Sequence, residues 1–362
     1  MALAVALLAA WNVWAITVPV PPGRVSIHSD LHVQWAAARG FWRGVDAYSL
    51  AGPEPWRALV GNFTLTYPAT TLVALAPFVG LSFNVAAALF GALSYGILAY
   101  ALTASTWAGL LALLAWPCYA ALRLGQWAPL LAAAALLPRL AWLVAVKPHM
   151  GAVVAVTRTD ARWWRIAFAG GLGLALVAWT RDPDWLASWR LALAARPGPG
   201  AGAGTVAAVF RPLAAYPGGA LALLALLRWR RPEARLLAAL ACVPHTTFGY
   251  ELTLLCALVP QRWPEYMMLV IASWGLGITR VGLATSASLA ENWAIVATWS
   301  VWWVLVPALL MVLLRPNVGQ VPAWIERATA RLPRWLAGTP TVNVDVRPSP
   351  SDTGAPLARR LT

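Results

Sequence analysis

"FNVAAALFGALSYGILAYAL", residues 83–102, runs through 20 positions without a charged side chain. As a helix rising 1.5 Å per residue it is about 30 Å long, which is the thickness of a bilayer's hydrocarbon core. Further apolar runs follow at about 107–122, 127–138, 139–157, 164–180, 205–227, 235–259, 265–284 and 292–314. The composition agrees: 60% of the 362 residues are hydrophobic, 11% are charged, and mean hydropathy is +0.66. A spanning barrel would alternate polar and apolar residues in short strands, and these Ala/Leu blocks do not. The reading is an all-α, polytopic integral membrane protein with nine to eleven transmembrane helices, some of them short or broken by proline.

Charge patterning sets the orientation. The chain carries 27 basic and 13 acidic residues, a net charge of +14, and Lys147 is its only lysine. In a soluble protein such a balance suggests nucleic acid. Here the arginines lie between apolar runs, as cytoplasmic loops do under the positive-inside rule, so anionic lipid headgroups are the expected partner and nucleic acid is not. The densest groups are "RTDARWWR" (158–165), "RWRRPEAR" (228–235) and the segment from Arg315 onward, which are therefore placed in the cytoplasm. Segments 21–66 and 181–204 then lie outside, although Arg181, Arg190 and Arg196 run mildly against that. Residues 1–20 have no basic stretch ahead of them and are read as a retained first helix rather than a cleaved signal. The C-terminal "RPSPSDTGAPLARRLT" is expected to be disordered, preceded by a basic amphipathic piece, "AWIERATARLPRW", on the inner leaflet.

Polar groups at or within a membrane are costly unless they pair or work, and so they carry the functional reading. The stretch "HSDLHVQWAAARGFWRGVDAY", residues 28–48, gathers two aspartates, two histidines and two arginines just outside the first hydrophobic run. Ser29 or Asp30 can cap a short helix that Gly44 ends, with Leu31, Trp35, Ala38 and Trp42 forming an apolar face for the membrane surface. Asp30 is then either a helix cap or a general base towards a hydroxyl. Asp46 suits an Asx turn. Lys147, in "AVKPHMG", sits inside a hydrophobic hairpin and needs an anion, either a phosphate or one of the few membrane carboxylates. Gln126 in "RLGQWAPLL" and His245 and Glu251 in "PHTTFGYELTLL" border apolar runs in the same way. Arg280 also falls within one.

Other chemistry finds little support. His28 and His32 supply only two ligands on one helical face, so no metal is expected. Walker, Rossmann, zincin and nucleophile-elbow spacings are absent, and no cofactor is expected. Cys118, Cys242 and Cys256 lie in apolar surroundings without metal or redox spacing.

Taken in order, these pieces resemble a known series. "SDLHVQWAAARGFWRGVDAYSL" resembles the opening loop of the polyprenol-phosphate-mannose-dependent mannosyltransferases, glycosyltransferase family 87 of the membrane-embedded GT-C superfamily. That loop carries an aspartate, an Ala-rich amphipathic helix and a Gly-x-Asp/Asn-Pro-Tyr turn. "TYPATTLVALAPFVGLSFNVAAALFGALS" is similar to the family's Tyr-Pro-Pro segment with its following helix. "GQWAPLLAAAALL", "VKPHMG" and "PHTTFGYELTLL" resemble its Gly-Gln, Lys-Pro and His-containing motifs, so the likeness covers about residues 28–260. Ala47 and Ala69 stand where the family has proline, and Glu251 where it has aspartate.

The resemblance implies a GT-C-like catalytic bundle over residues 1–314, with an extracytoplasmic loop at 21–66, and a cytoplasmic basic tail at 315–362. It implies inverting transfer of a sugar, mannose first among candidates, from a polyprenyl-phosphate donor to a glycolipid or glycan acceptor outside the plasma (inner) membrane. Asp30 matches the catalytic aspartate. Lys147, His245 and Arg280 would hold the donor phosphate, and Asp46, Tyr48, Gln126 and Glu251 would contact substrate. Two other classes stay open: a transporter or flippase for a lipid or sugar, and a non-catalytic assembly subunit.

Overall fold

The computed structural model describes residues 1–17, 30–48, 65–104, 106–194, 211–244, 249–282, 289–321 and 323–340. The all-α class is as expected: among those residues there is no strand, only two isolated bridges, Pro212 to Pro244 and Val318 to Thr339. Among the described residues two helices are long and apolar enough to cross a membrane, Phe83–Thr103 and Ala294–Leu313. A third span results if Trp107–Leu114 and Trp116–Leu124, bent by 66°, count as one.

That number falls below the nine to eleven spans expected, and the reason is local. Residues 128–155 fold as the helix Ala128–Leu136, a 3-10 segment Pro138–Val146 and the helix Pro148–Ala155. Each piece opens on proline at its first or second position, where the missing N–H costs nothing but a preceding helix cannot continue. Residues 219–228 likewise form a 3-10 segment rather than an α-helix.

The polar segments sort to two ends. The helix Ala161–Arg181, 21 residues and so about 30 Å long, joins them. At its start Asp160 caps the helix by accepting from the Arg162 and Trp163 amides, while the Trp163 indole donates to the Ala134 carbonyl and Arg158 donates to Ala135. The three basic segments meet here. Arg235 donates to the carbonyls of Val156 and Thr157, Arg228 to that of Arg315, and Arg315 pairs with Glu233 at 3.0 Å. At the other end Arg181 lies 4.8 Å over the Trp42 ring, and the Trp189 indole donates to Thr66. Segment 181–194 therefore sits with the segments around Trp42 and Thr66, and away from the basic loops.

The surfaces between these ends are apolar. On Ala2–Thr17, Leu3, Leu7, Trp11 and Trp14 are exposed, and on Ala161–Arg181 so are Phe168, Leu172, Leu176 and Trp179. Both sets follow i, i+4, i+8, i+11, one exposed helical stripe.

Two expectations change. The helix Asp30–Trp42 forms, and Gly44 at φ 77° ends it as anticipated: the Val45 amide bonds the Gly40 carbonyl and the Gly44 amide bonds that of Phe41, a Schellman closure. Its apolar face, however, packs on the protein rather than on a membrane surface. Leu31, Trp35 and Ala38 are buried, and the Trp35 and Trp42 indoles donate to the carbonyls of Phe78 and Leu72. In the C-terminal segment, the helix Ala323–Thr329 is held to the protein by Glu326, which accepts a bidentate pair of bonds from Arg230, and Trp229 donates to Leu336. Residues 347–362, expected to be disordered, lie outside the described residues.

Candidate functional site

Four of the residues singled out in the sequence come together from distant segments: Asp30, Gln126, Lys147 and Glu251. Each is held at a helix start or at a break between helical segments.

Asp30 is the first residue of its helix, where the dipole favours a carboxylate. Its Oδ2 accepts a hydrogen bond from Gln126 Nε2, so the group reaches across 96 residues of chain. Gln126 follows Gly125, which closes the helix Trp116–Leu124 at φ 63°. Only glycine takes that conformation cheaply, and here there is a second constraint: a Cβ at position 125 would lie 2.5 Å from Leu31 Cβ. Helix Asp30–Trp42 thus seats directly on the turn that presents Gln126. Trp127 completes the contact by donating to Gln34 Oε1 at 2.7 Å, while Gln34 Nε2 donates to the Asp30 carbonyl at 3.2 Å.

Lys147 stands between the 3-10 segment Pro138–Val146 and the helix Pro148–Ala155. The two carbonyls just before it would be orphaned by that break, and the hydroxyls of Thr70 and Thr71 donate to them, on Ala145 and Val146. Lys147 Nζ lies 3.0 Å from Glu251 Oε1, with both side chains buried. The ammonium also sits 4.8 Å over the Tyr250 ring and 5.9 Å from that of Tyr67. Of the two anions open to Lys147 from the sequence, the structure therefore contains the carboxylate. Glu251 lies in one 3-10 turn, Tyr250–Leu252, set by Gly249 at φ 75°.

Tyr67 links the halves: its hydroxyl donates to Gln126 Oε1 at 3.2 Å, and the Tyr48 hydroxyl donates to the Tyr67 carbonyl at 3.0 Å. Tyr48 is therefore a buttress, one shell away from the carboxylates. Asp46 makes the Asx turn read from the sequence, accepting from the Tyr48 amide at 2.9 Å, and its side chain is exposed.

Burial pushes the Asp30 carboxyl from 3.8 up to about 6, against the pull of the Lys147 charge; nearby Glu251 adds to the rise, and hydrogen bonds from Gln126 and Tyr250 oppose it. An acid with its midpoint there is ionised at neutral pH and remains a competent proton acceptor.

The other sequence candidates fall elsewhere. His32 packs against Phe83, ring centroids 4.3 Å apart, and Asp182 lies near the exposed Asp46, with Asp184 beside it. His245 and His28 are outside the described residues; Arg280 is on the helix Trp263–Gly282, its side chain likewise outside them. Among the described residues no group of three or more His, Cys, Asp or Glu is arranged to hold a metal. Sequence reasoning missed Tyr67, Tyr250, Gln34 and Trp127. Tyr250, Gln34 and Trp127 each stand within four residues of a residue that was singled out, for Gln34 one helical turn from Asp30, whereas Tyr67 lies 19 residues from Tyr48.

No protein-family model matches this chain, and no curated protein and no solved structure matches it either. The likeness to glycosyltransferase family 87 rests on the ordered motifs alone.

Proposed function

We propose that the chain is a multi-pass membrane glycosyltransferase that moves a sugar, mannose first among candidates, from a polyprenyl phosphate to a hydroxyl of a glycolipid or glycan. One observation carries the reading: Asp30, Gln126, Lys147 and Glu251, drawn from four separate motifs, come together in one buried polar cluster.

The membrane setting is supported by the outward stripes of leucine, phenylalanine and tryptophan, which a water-facing helix would bury, and by the sorting of polar segments to two ends about 30 Å apart. On the positive-inside rule we assign the basic loops to the cytoplasm, and the reaction at Asp30 to the extracytoplasmic side of the plasma (inner) membrane. A polyprenyl tail suits such a protein, since each buried methylene favours lipid by about 0.8 kcal/mol.

In the proposed reaction the acceptor oxygen attacks the anomeric carbon, the bond from that carbon to the phosphate oxygen breaks, and the configuration inverts. Asp30 takes the acceptor's proton. The leaving phosphate is already anionic, so no acid has to protonate it, in contrast to a two-carboxylate hydrolase. Its growing charge is met by Lys147, which exchanges its Glu251 partner for the phosphate as the donor binds, with His245 and Arg280 proposed as further cations.

Purified protein in lipid, supplied with radiolabelled polyprenyl-phosphate sugars and membrane extract, should give labelled glycolipid or glycan. Asp30→Asn should give none at unchanged expression. Full product from that variant would sink the assignment. A second reading, carriage of a lipid-linked sugar, draws on the same buried acid and cation; label crossing a sealed vesicle with no product formed would favour it.

A further inference from the structure

We infer that Tyr67 is a positioning residue for Asp30, acting through the Gln126 amide. The inference rests on the reading of Asp30 as a base, and goes further by assigning what aims it.

A glutamine amide has two ends of opposite character, and which end meets a carboxylate decides whether the contact attracts or repels. At this site Nε2 donates to Asp30 Oδ2, and among the described residues the donor to the other end is the Tyr67 hydroxyl, 3.2 Å from Oε1. Gln126 is 1% exposed, so solvent does not take over that duty. An Oε1 without a donor is a buried acceptor left unpaired, a state relieved by rotating the amide. Rotation brings oxygen to oxygen against Asp30, which favours the protonated acid and removes the lone pair the reaction needs. Tyr67 prevents this, and it is itself fixed: Tyr48 donates to its carbonyl, and the following Pro68 begins the turn into the helix Ala69–Ala74, whose Thr70 and Thr71 anchor on Ala145 and Val146. The anchor carbonyls immediately precede Lys147. One short segment, 67–71, therefore sets the aim of the acid and the position of the cation together.

The groups facing Asp30 are Lys147, Glu251, Tyr67, Tyr250 and Gln126. Of these, Tyr67→Phe removes one hydroxyl and no charge, and its ring remains to pack. The test reads the carboxyl C=O stretch of Asp30 by infrared pH titration of the full chain in nanodiscs, assigned by subtracting Asp30→Asn. Tyr67→Phe should move the midpoint up by about half to one pH unit. In a Gln126→Ala background the same substitution should move it no further, because the amide through which it acts is gone. An unmoved midpoint in Tyr67→Phe, or an added shift in the double variant, overturns the inference. Should Tyr67→Phe fail to fold, Gln126→Ala alone must raise the midpoint, and a fixed value there overturns it equally. No substrate enters this measurement, so a shift without any sugar transfer refutes the transferase and leaves the positioning role standing, while transfer without a shift does the reverse.

Discussion

Lys147 and Glu251 form an ion pair 3.0 Å long with both side chains nearly out of reach of solvent, joining two segments 104 residues apart. Taking two charges out of water costs several kcal/mol for each ion, and here mutual attraction and the Tyr250 ring offset that cost. Removal of one partner leaves the other uncompensated, and Glu251→Ala or Lys147→Ala should each lower stability by about 3–5 kcal/mol. Lys147→Met with Glu251→Leu should recover most of it. Thermal unfolding in detergent reads both. If the double variant is as damaged as the singles, the pair is not the coupled unit described. In activity, Lys147→Ala should mainly raise the KM for a lipid-phosphate donor, and unchanged donor dependence would remove the phosphate role.

Asp30 should leave its mark on pH dependence in two ways. The carboxyl midpoint, raised by burial from 3.8 to about 6, means that the folded protein holds a proton through a window in which the unfolded chain has released it. Stability contributed by this group is therefore present below about pH 4, declines as pH rises to about 6, and is flat above. Asp30→Asn should relieve a penalty of up to about 3 kcal/mol at pH 7 and none at pH 4, seen as a higher unfolding temperature only at the neutral pH. The proposed transfer runs the opposite way: its kcat/KM should climb through pH 6 as Asp30 ionises, and Asp30→Asn should lose about a hundredfold or more. A rate profile flat from pH 5 to 7 would be inconsistent with Asp30 as the base.

The cluster was legible in the sequence to a specific degree. Charge scarcity alone marked Asp30, Lys147 and Glu251, because in a chain this apolar each isolated polar group needs a reason. What joins them was not legible. Tyr67 and Tyr250 pass in a sequence as ordinary aromatics, and the Gln34 to Trp127 bond spans 93 residues that no periodicity connects. The expected nine to eleven spans are not confirmed among the described residues for a related reason: hydropathy reports what a segment is made of, and the prolines at 129, 138 and 148 decide whether it continues as one helix. The face of helix Asp30–Trp42 was identified correctly as apolar and given the wrong neighbour, since a stripe of Leu31, Trp35 and Ala38 suits protein and lipid alike.

Gly125 should be intolerant of even one methyl group. Its φ of 63° costs an alanine about 1–2 kcal/mol, and the added Cβ would meet Leu31 Cβ at 2.5 Å, forcing helix Asp30–Trp42 away from Gln126. Gly125→Ala should lower stability by about 2–4 kcal/mol and weaken transfer through lost aim of Asp30. Adding Leu31→Ala removes the collision and leaves the backbone strain, so the double variant should regain part of the activity. A neutral Gly125→Ala in both assays would refute the close seating.

The C-terminal segment offers a test at the far end of the protein. Arg230 is 3% exposed, and its guanidinium holds Glu326 through two bonds and also the carbonyls of Gly319 and Ala337. Trp229 and Asn317 add bonds to the Leu336 carbonyl. Planar, bidentate recognition of this kind does not survive replacement by lysine. Arg230→Lys should therefore release residues 323–340 almost as fully as Arg230→Ala, with trypsin cutting at Arg327 and Arg331 about tenfold faster, since the opened fraction sets the rate. Glu326→Gln keeps one acceptor and should give an intermediate rate. Because none of the bonds around Asp30 involves the Arg230 network, both arginine variants should keep its infrared midpoint unchanged, and a coupled shift would show that the two regions move as one body.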